Sequence, residues 1–152
     1  RERPRKLWDP GRKLLLTIRC YQYYSAKNNY QGIIFKKIAV LRHRFWSTIT
    51  QCEIDLRCRI EGGLLLPHPN GIVIHPQVVI GPNCLLFQQV TLGTGGPIPG
   101  VPRLGGHVDI GAGAKILGGV NIGNNAKIGA NAVVLCDVPE NATAVGIPAR
   151  IL

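Results

Sequence analysis

The chain has no methionine, few aromatic residues (6%) and few acidic ones, eight against eighteen lysines and arginines. No apolar run reaches the ~18 residues needed to span a bilayer; the stretch 14–18 is short and flanked by Arg and Lys. There is no signal-peptide pattern. The five cysteines, Cys20, Cys52, Cys58, Cys84 and Cys136, form no CxxC pair. That argues against a zinc ribbon or a disulfide framework, and leads us to expect a reducing, cytoplasmic setting. Charged residues make up only 17% and apolar ones 45%, enough for a packed core and unlike a disordered chain.

The formal net charge of +10 is unevenly placed. Residues 1–52 hold twelve Lys/Arg and two Asp/Glu, whereas residues 53–152 hold six of each. The whole excess therefore lies in an N-terminal segment. Such a segment is either a solvated helical face or a contact for anionic lipid, nucleic acid or an acidic substrate. Two stretches in it, LWDPGRKLLLTIRCYQYYSAKN and YQGIIFKKIAVLRHRFWSTIT, read as helices, with AKNN and QG marking a break.

Beyond it the chain is periodic. From Ile74 it reads IHPQVV, IGPNCL, LFQQVT, LGTGGP, and from Ile110 IGAGAK, ILGGVN, IGNNAK, IGANAV, VLCDVP. The first position of each hexad is Ile, Leu or Val, the fifth Val, Cys, Gly or Ala, and the second is often Gly. A helix would need a 3.6-residue period, which is missing. Three hexads of this pattern make one triangular turn, with large aliphatics pointing inward and small residues near the corners. Gly and Asn tolerate the backbone of tight corners. Turns stack at ~4.8 Å, and only stacking gives a continuous core. Cys58 and Cys84 fall on the small inward position, as buried thiols. The expected fold is mainly β: a parallel β-helix of hexapeptide repeats at 53–152 after a short, basic α-helical segment at 1–52. Two interruptions stand out. The first hexads, from Ile54, are out of phase with Ile74 by two residues, across LLLPHPNG. The Gly- and Pro-rich segment 94–107 is expected to be a protruding loop. Irregular places in a regular scaffold are where chemistry tends to sit.

Four histidines are candidates for proton transfer near neutral pH. His43 lies in the basic RHRF run and is expected in solvent. His75 follows an inward Ile and points outward. His107 closes the loop, as a turn residue or a site residue. His68 lies between Pro67 and Pro69, which stiffen its backbone. The residues alone leave it as either a turn histidine or a general base.

The runs GGLLLPHPNGIVIHPQVVIGPNCLLFQQVTLG and IGAGAKILGGVNIGNNAKIGANAVVL, and the ending VPENATAVGIPARIL, resemble the serine acetyltransferase family over residues 53–152. The resemblance implies a left-handed β-helix, a homotrimer, and direct acetyl transfer from acetyl-CoA to a small-molecule hydroxyl, without metal. It implies that His68 is the catalytic base and that Glu53 orients it, with Asp55 the second choice. It also implies an acetyl-CoA groove lined by Gly93, Ala112 and Ala130, with Lys127 and Arg150 meeting the CoA phosphates. The chemistry is general-base attack on a thioester, with backbone N–H groups near the break holding the oxyanion.

Three positions depart from that family's cysteine-synthesis enzymes. Pro67 replaces an Asp before the histidine, and Gly100 and Val101 replace an Arg-His pair in the long loop. L-serine is the expected acceptor; a saccharide hydroxyl is the alternative, and a non-enzymatic trimeric scaffold is an alternative of another class. A zinc hydratase would need three converging histidines, and no HxxxxH spacing occurs. No nucleic-acid partner is expected, while residues 1–52 are expected to reach an anionic membrane peripherally.

Overall fold

The computed structural model describes residues 2–4, 8–27 and 29–152. Its two helices are α1 (Pro10–Ser25) and α2 (Tyr30–Thr50). Proline opens α1, where its fixed φ suits a helix and its missing N–H leaves no bond unmade. Asn29 caps α2 by accepting from the Gly32 N–H at 2.7 Å. Gln51, at φ 52°, ends it. The break expected at residues 26–29 is where α1 ends and α2 is capped, with Asn28 outside the described residues. Gln31 and Gly32, read as part of that break, instead lie in the first turn of α2.

Fourteen short strands follow among the described residues, in three sheets. The first sheet holds β1 (Glu53–Ile54), β3 (Val73–Ile74), β6 (Thr91–Gly93), β9 (Lys115–Leu117) and β12 (Val133–Val134). The second holds β2 (Arg59–Ile60), β4 (Val79–Ile80), β7 (Arg103–Leu104) and β10 (Asn121–Ile122). The third holds β5 (Leu85–Leu86), β8 (Asp109–Ile110), β11 (Lys127–Ile128), β13 (Thr143–Val145) and β14 (Arg150–Ile151). The chain visits the sheets in rotation, with the isolated bridges of Leu65 to Leu85 and Val138 to Ile122 standing in for a strand at two places, until β14 folds back on β13; every pairing is parallel except β13 with β14. The fold is mainly β, a solenoid of parallel sheets with two N-terminal helices.

The hexad arithmetic explains the core. Ile54, Ile74, Leu92, Ile116 and Val134 stack inside the first sheet, all nearly or fully buried. The fifth hexad positions, including Cys58, Val78, Cys84, Val90, Ala114, Val120, Ala126 and Ala132, are fully buried. Corners between the second and third sheets carry Gly63, Asn83, His107, Asn125 and Asn141, and those between the third and first carry Gly71, Gln89, Gly113 and Asn131, all at positive φ. Gly and Asn dominate because they tolerate the left-handed region.

Register fixes the two interruptions. Ile74 pairs with Leu92, a step of 18 residues, but Ile54 pairs with Ile74, a step of 20. Leu65 bridges Leu85 and Val73 pairs with Thr91, so the two extra residues lie in the corner that contains Pro67-His68-Pro69. Leu92 pairs with Ile116, a step of 24, and the six extra residues lie between Leu92 and Leu104. The segment 94–107 is therefore not loop throughout. Arg103–Leu104 form β7 between β4 and β10, and LGGHVD is a further hexad with Leu104 and Val108 in the core. Nor does the rest simply protrude: the Ile98 carbonyl accepts from Gly119 N at 2.9 Å, and a Cβ on Gly119 would stand 2.4 Å from the Pro99 oxygen. The glycines at 118–119 leave room for the loop to fold down.

α1 closes the first coil. Leu14, Leu15 and Ile18 are buried in the core, each contributing roughly 1.5–3 kcal/mol of apolar burial. Arg19 donates to the carbonyls of Ile60 at 2.5 Å and Glu61 at 2.7 Å and pairs with Glu2 at 2.8 Å. Gln22 donates to the Cys58 carbonyl at 3.0 Å.

Candidate active site

The described histidines of the solenoid occupy three different corners. His75 stands at the first-to-second corner, where its Nδ1 accepts from the Gln77 N–H at 3.2 Å. His107 is a turn residue, at φ 58° in the second-to-third corner, in the column occupied elsewhere by Gly and Asn. His68 stands exposed in the enlarged third-to-first corner. They do not converge, and among the described residues no group of three His, Cys, Asp or Glu is placed to hold a metal. His43, expected in solvent, is half-buried where α2 meets the first coil. Burial pushes its pKa down, while the Ile54 carbonyl and the Asp55 carboxylate pull it back.

The enlarged corner is pinned to the strand before it. Gly71 N donates to the Gln51 carbonyl at 3.0 Å, Glu53 N to the Ile72 carbonyl at 2.8 Å, and the Asn70 side chain to that of Gln51 at 2.5 Å. The Cys52 thiol donates to the Pro69 carbonyl. Glu53, at the entry to the first sheet, thus flanks the corner that carries His68. Both side chains are exposed, and among the described residues no hydrogen bond joins them. Asp55 is engaged elsewhere: Arg57 binds it at 2.9 Å and holds its carboxyl below the usual range, and it lies beyond β1 at another corner.

Ala112 and Ala130 leave the third sheet at the same corner as His68, one and two coils beyond Gln88. Gly113 N donates to Gln88 O and Asn131 N to Ala112 O, at 2.9 and 2.8 Å, so the coils are tied along this edge, where Ala112 is half-buried and Ala130 exposed. Lys127 projects from the third sheet and Arg150 lies two strands away on it. Gly93 is not on this edge. It ends β6 at the first-to-second corner, beside the loop.

Two grooves carry residues that the sequence did not single out. One, of about 470 Å³, runs between the start of α1 and the His68 corner, lined by Trp8, Asp9, Gly11, Arg12, Pro67 and Pro69 among others. Asp9 and Arg12 form an ion pair of 3.0 Å within it. The other, of about 650 Å³, lies on the outer face of the second sheet beneath the loop, and presents Arg57, Arg59 and Arg103. No local signal pointed to the first groove, because its two walls lie almost sixty residues apart in the chain.

A family profile described as bacterial transferase hexapeptide (six repeats) matches residues 102–136. A serine acetyltransferase of Helicobacter pylori (strain J99) is 38% identical over 145 residues, covering 94% of this chain and 81% of that protein. The chain belongs to the serine acetyltransferase family. A serine acetyltransferase of Synechococcus elongatus is 44% identical over 106 residues, covering 68% of this chain and 43% of its own. Among solved structures, a serine acetyltransferase in complex with CoA superposes with a TM-score of 0.77 at 37% identity, over 96% of this chain and 58% of that one. The chain spans about half the length of several curated family members it matches. Among its described residues no helix is long and apolar enough to cross a membrane.

Proposed function

We propose that this chain catalyses acetyl transfer from acetyl-CoA to the hydroxyl of L-serine, with His68 as general base. The observation that carries the reading is the His68 corner itself. It is the one corner of the solenoid enlarged by two residues between stiff prolines, and it faces a groove whose other wall holds Asp9 and Arg12. The Asp9–Arg12 ion pair can be exchanged for the ammonium and carboxylate of an amino acid, each of which then meets a group of opposite charge. Small side chains let the pantetheine arm of acetyl-CoA lie close to the coils, and Ala112 and Ala130 form such an edge at the same corner. Lys127 and Arg150 supply cations for its phosphates.

In this scheme His68 takes the proton of the serine hydroxyl as that oxygen attacks the thioester carbonyl. Pro67 and Pro69 have no N–H, so the His68 and Asn70 amides are the donors at hand for the tetrahedral oxyanion. The C–S bond then breaks, and the imidazolium returns the proton to the departing thiolate. Glu53, flanking the corner, orients the imidazole and stabilises its cation. Gly93 belongs to the groove by family resemblance but stands at a different corner of the prism. In the homotrimer that the family resemblance implies, the groove would be completed between copies, with Gly93 contributed by one and Ala112 and Ala130 by the next. We place this activity in the cytoplasm.

A saccharide acceptor is the second reading, favoured by the loop. Gly100 has φ 121°, a conformation that an Arg there would strain, and Val101 packs against the core. Residues 94–102 carry no cation for a serine carboxylate, and Arg103, which follows them, lies on β7 in the groove of the second sheet. The deciding experiment follows thiol release from acetyl-CoA with L-serine, for the wild type and His68→Ala. Serine-dependent turnover that falls about 10²–10⁴-fold in the variant establishes the first reading. Acetyl-CoA binding without serine-dependent turnover moves the acceptor to a saccharide, and absence of both refutes acetyl transfer.

A further inference from the structure

α2 packs on the rest of the molecule through Gly32, Ala39, Trp46 and Thr50. Its opposite side is apolar as well. Tyr30, Ile34, Ile38, Leu41, Phe45 and Ile49 recur every three or four residues, so they form one stripe along almost the whole helix. All are exposed, from 40% for Ile34 to 77% for Tyr30. Arg42 borders the stripe on one side, and Lys37 and Arg44 on the other. α2 contains no Asp or Glu at all, and residues 1–52 carry the chain's entire +10 excess.

We propose that this stripe docks the protein on an anionic lipid bilayer, with α2 lying in the plane of the interface. The charges choose the occupant. A second α2 pairing along the stripe would set Lys37, Arg42 and Arg44 against their own copies, and like charges across a contact are unfavourable. A negatively charged lipid surface reverses that sign, attracting every cation that borders the stripe. The pattern of apolar and aromatic side chains bounded by Lys and Arg is that of a helix that lies in the headgroup region, and α2 is not apolar enough to cross the bilayer. Because α2 leads directly into β1, docking places the bilayer at the end of the solenoid that carries the first coil. This inference concerns α2 alone and stands whatever the acceptor is.

The test is co-flotation of the full chain with vesicles of phosphatidylcholine, with and without 30% phosphatidylserine. We expect binding to the anionic vesicles at 50 mM salt and its loss at 500 mM. Lys37→Gln with Arg44→Gln should weaken binding about fivefold per charge removed. Leu41→Glu and Phe45→Glu should each weaken it roughly tenfold or more, while circular dichroism and melting temperature stay unchanged because both side chains are exposed. Wild type that stays off anionic vesicles at low salt overturns the proposal. So does binding that Leu41→Glu and Phe45→Glu leave intact, which would assign it to the basic residues without the stripe. A stripe-dependent assembly in light scattering, lost in Leu41→Glu and unaffected by vesicles, overturns it in favour of a second copy.

Discussion

Gly111→Ala is a single-methyl change whose cost can be worked out from the stacking of the coils. Gly111 leaves the third sheet at the edge that carries Ala112 and Ala130. A Cβ placed on it would stand 2.6 Å from the Ala130 nitrogen and 2.9 Å from its Cα. Its φ is not in the left-handed region, so the penalty is steric rather than conformational. Ordinary contact begins near 3.4 Å, so the two backbones must separate by about 0.8 Å, and neither is the free end of a side chain. Overpacking of this kind costs about 1–3 kcal/mol, or roughly 2–12 °C in melting temperature for a chain of this size. The control is Gly62→Ala, where a Cβ meets nothing within 4 Å and φ is unremarkable. There the loss of unfolded-state freedom should stabilise by about 0.4–1 kcal/mol. Calorimetry on both variants gives a difference of opposite signs. If the proposed acetyl-CoA edge is right, Gly111→Ala also raises the KM for acetyl-CoA while Gly62→Ala does not. Equal melting temperatures for the two variants would refute the claim that coil spacing at this corner is set by backbone contact.

Leu15→Ala, in the contact of α1 with the first coil, should cost about 2–5 kcal/mol, read by urea unfolding; a cost under 1 kcal/mol would mean that α1 is not part of the cooperative core. His43 has a depressed folded-state pKa, so the unfolded chain binds its proton more readily. Stability should therefore fall as pH drops below the unfolded value of about 6.5 toward the folded one, and melting curves at pH 7.5 and 5.5 should show a smaller loss for His43→Gln than for the wild type. Burial pushes the Cys58 thiol up to about 11 and raises that of Cys52, whereas Cys136 is exposed; a thiol reagent on native protein should label Cys136 promptly and Cys52, Cys58 and Cys84 only on unfolding.

How much was legible divides along physical lines. The inward hexad residues, the buried Cys58 and Cys84 and the two-residue slip at LLLPHPNG could be read directly, because in a stacked solenoid each hexad reports its own inward and outward positions. The hexad LGGHVD obeys the same pattern, with Leu104 and Val108 in their places, but the density of Gly and Pro just before it masked the resumed phase. Family resemblance, rather than spacing, singled out His68, Glu53 and the cofactor residues. What no local pattern contains is which corner each residue occupies. Tertiary structure alone set Ala112 and Ala130 on the His68 edge and Gly93 on another, buried His43 against the first coil, and brought Asp9 and Arg12 to the His68 corner. It also showed that the apolar residues of α2 divide into a packed face and an open one. Periodic burial is decided within six residues and is written in the sequence, whereas these placements depend on the number of residues per turn summed over many coils and on helices folding back across the first.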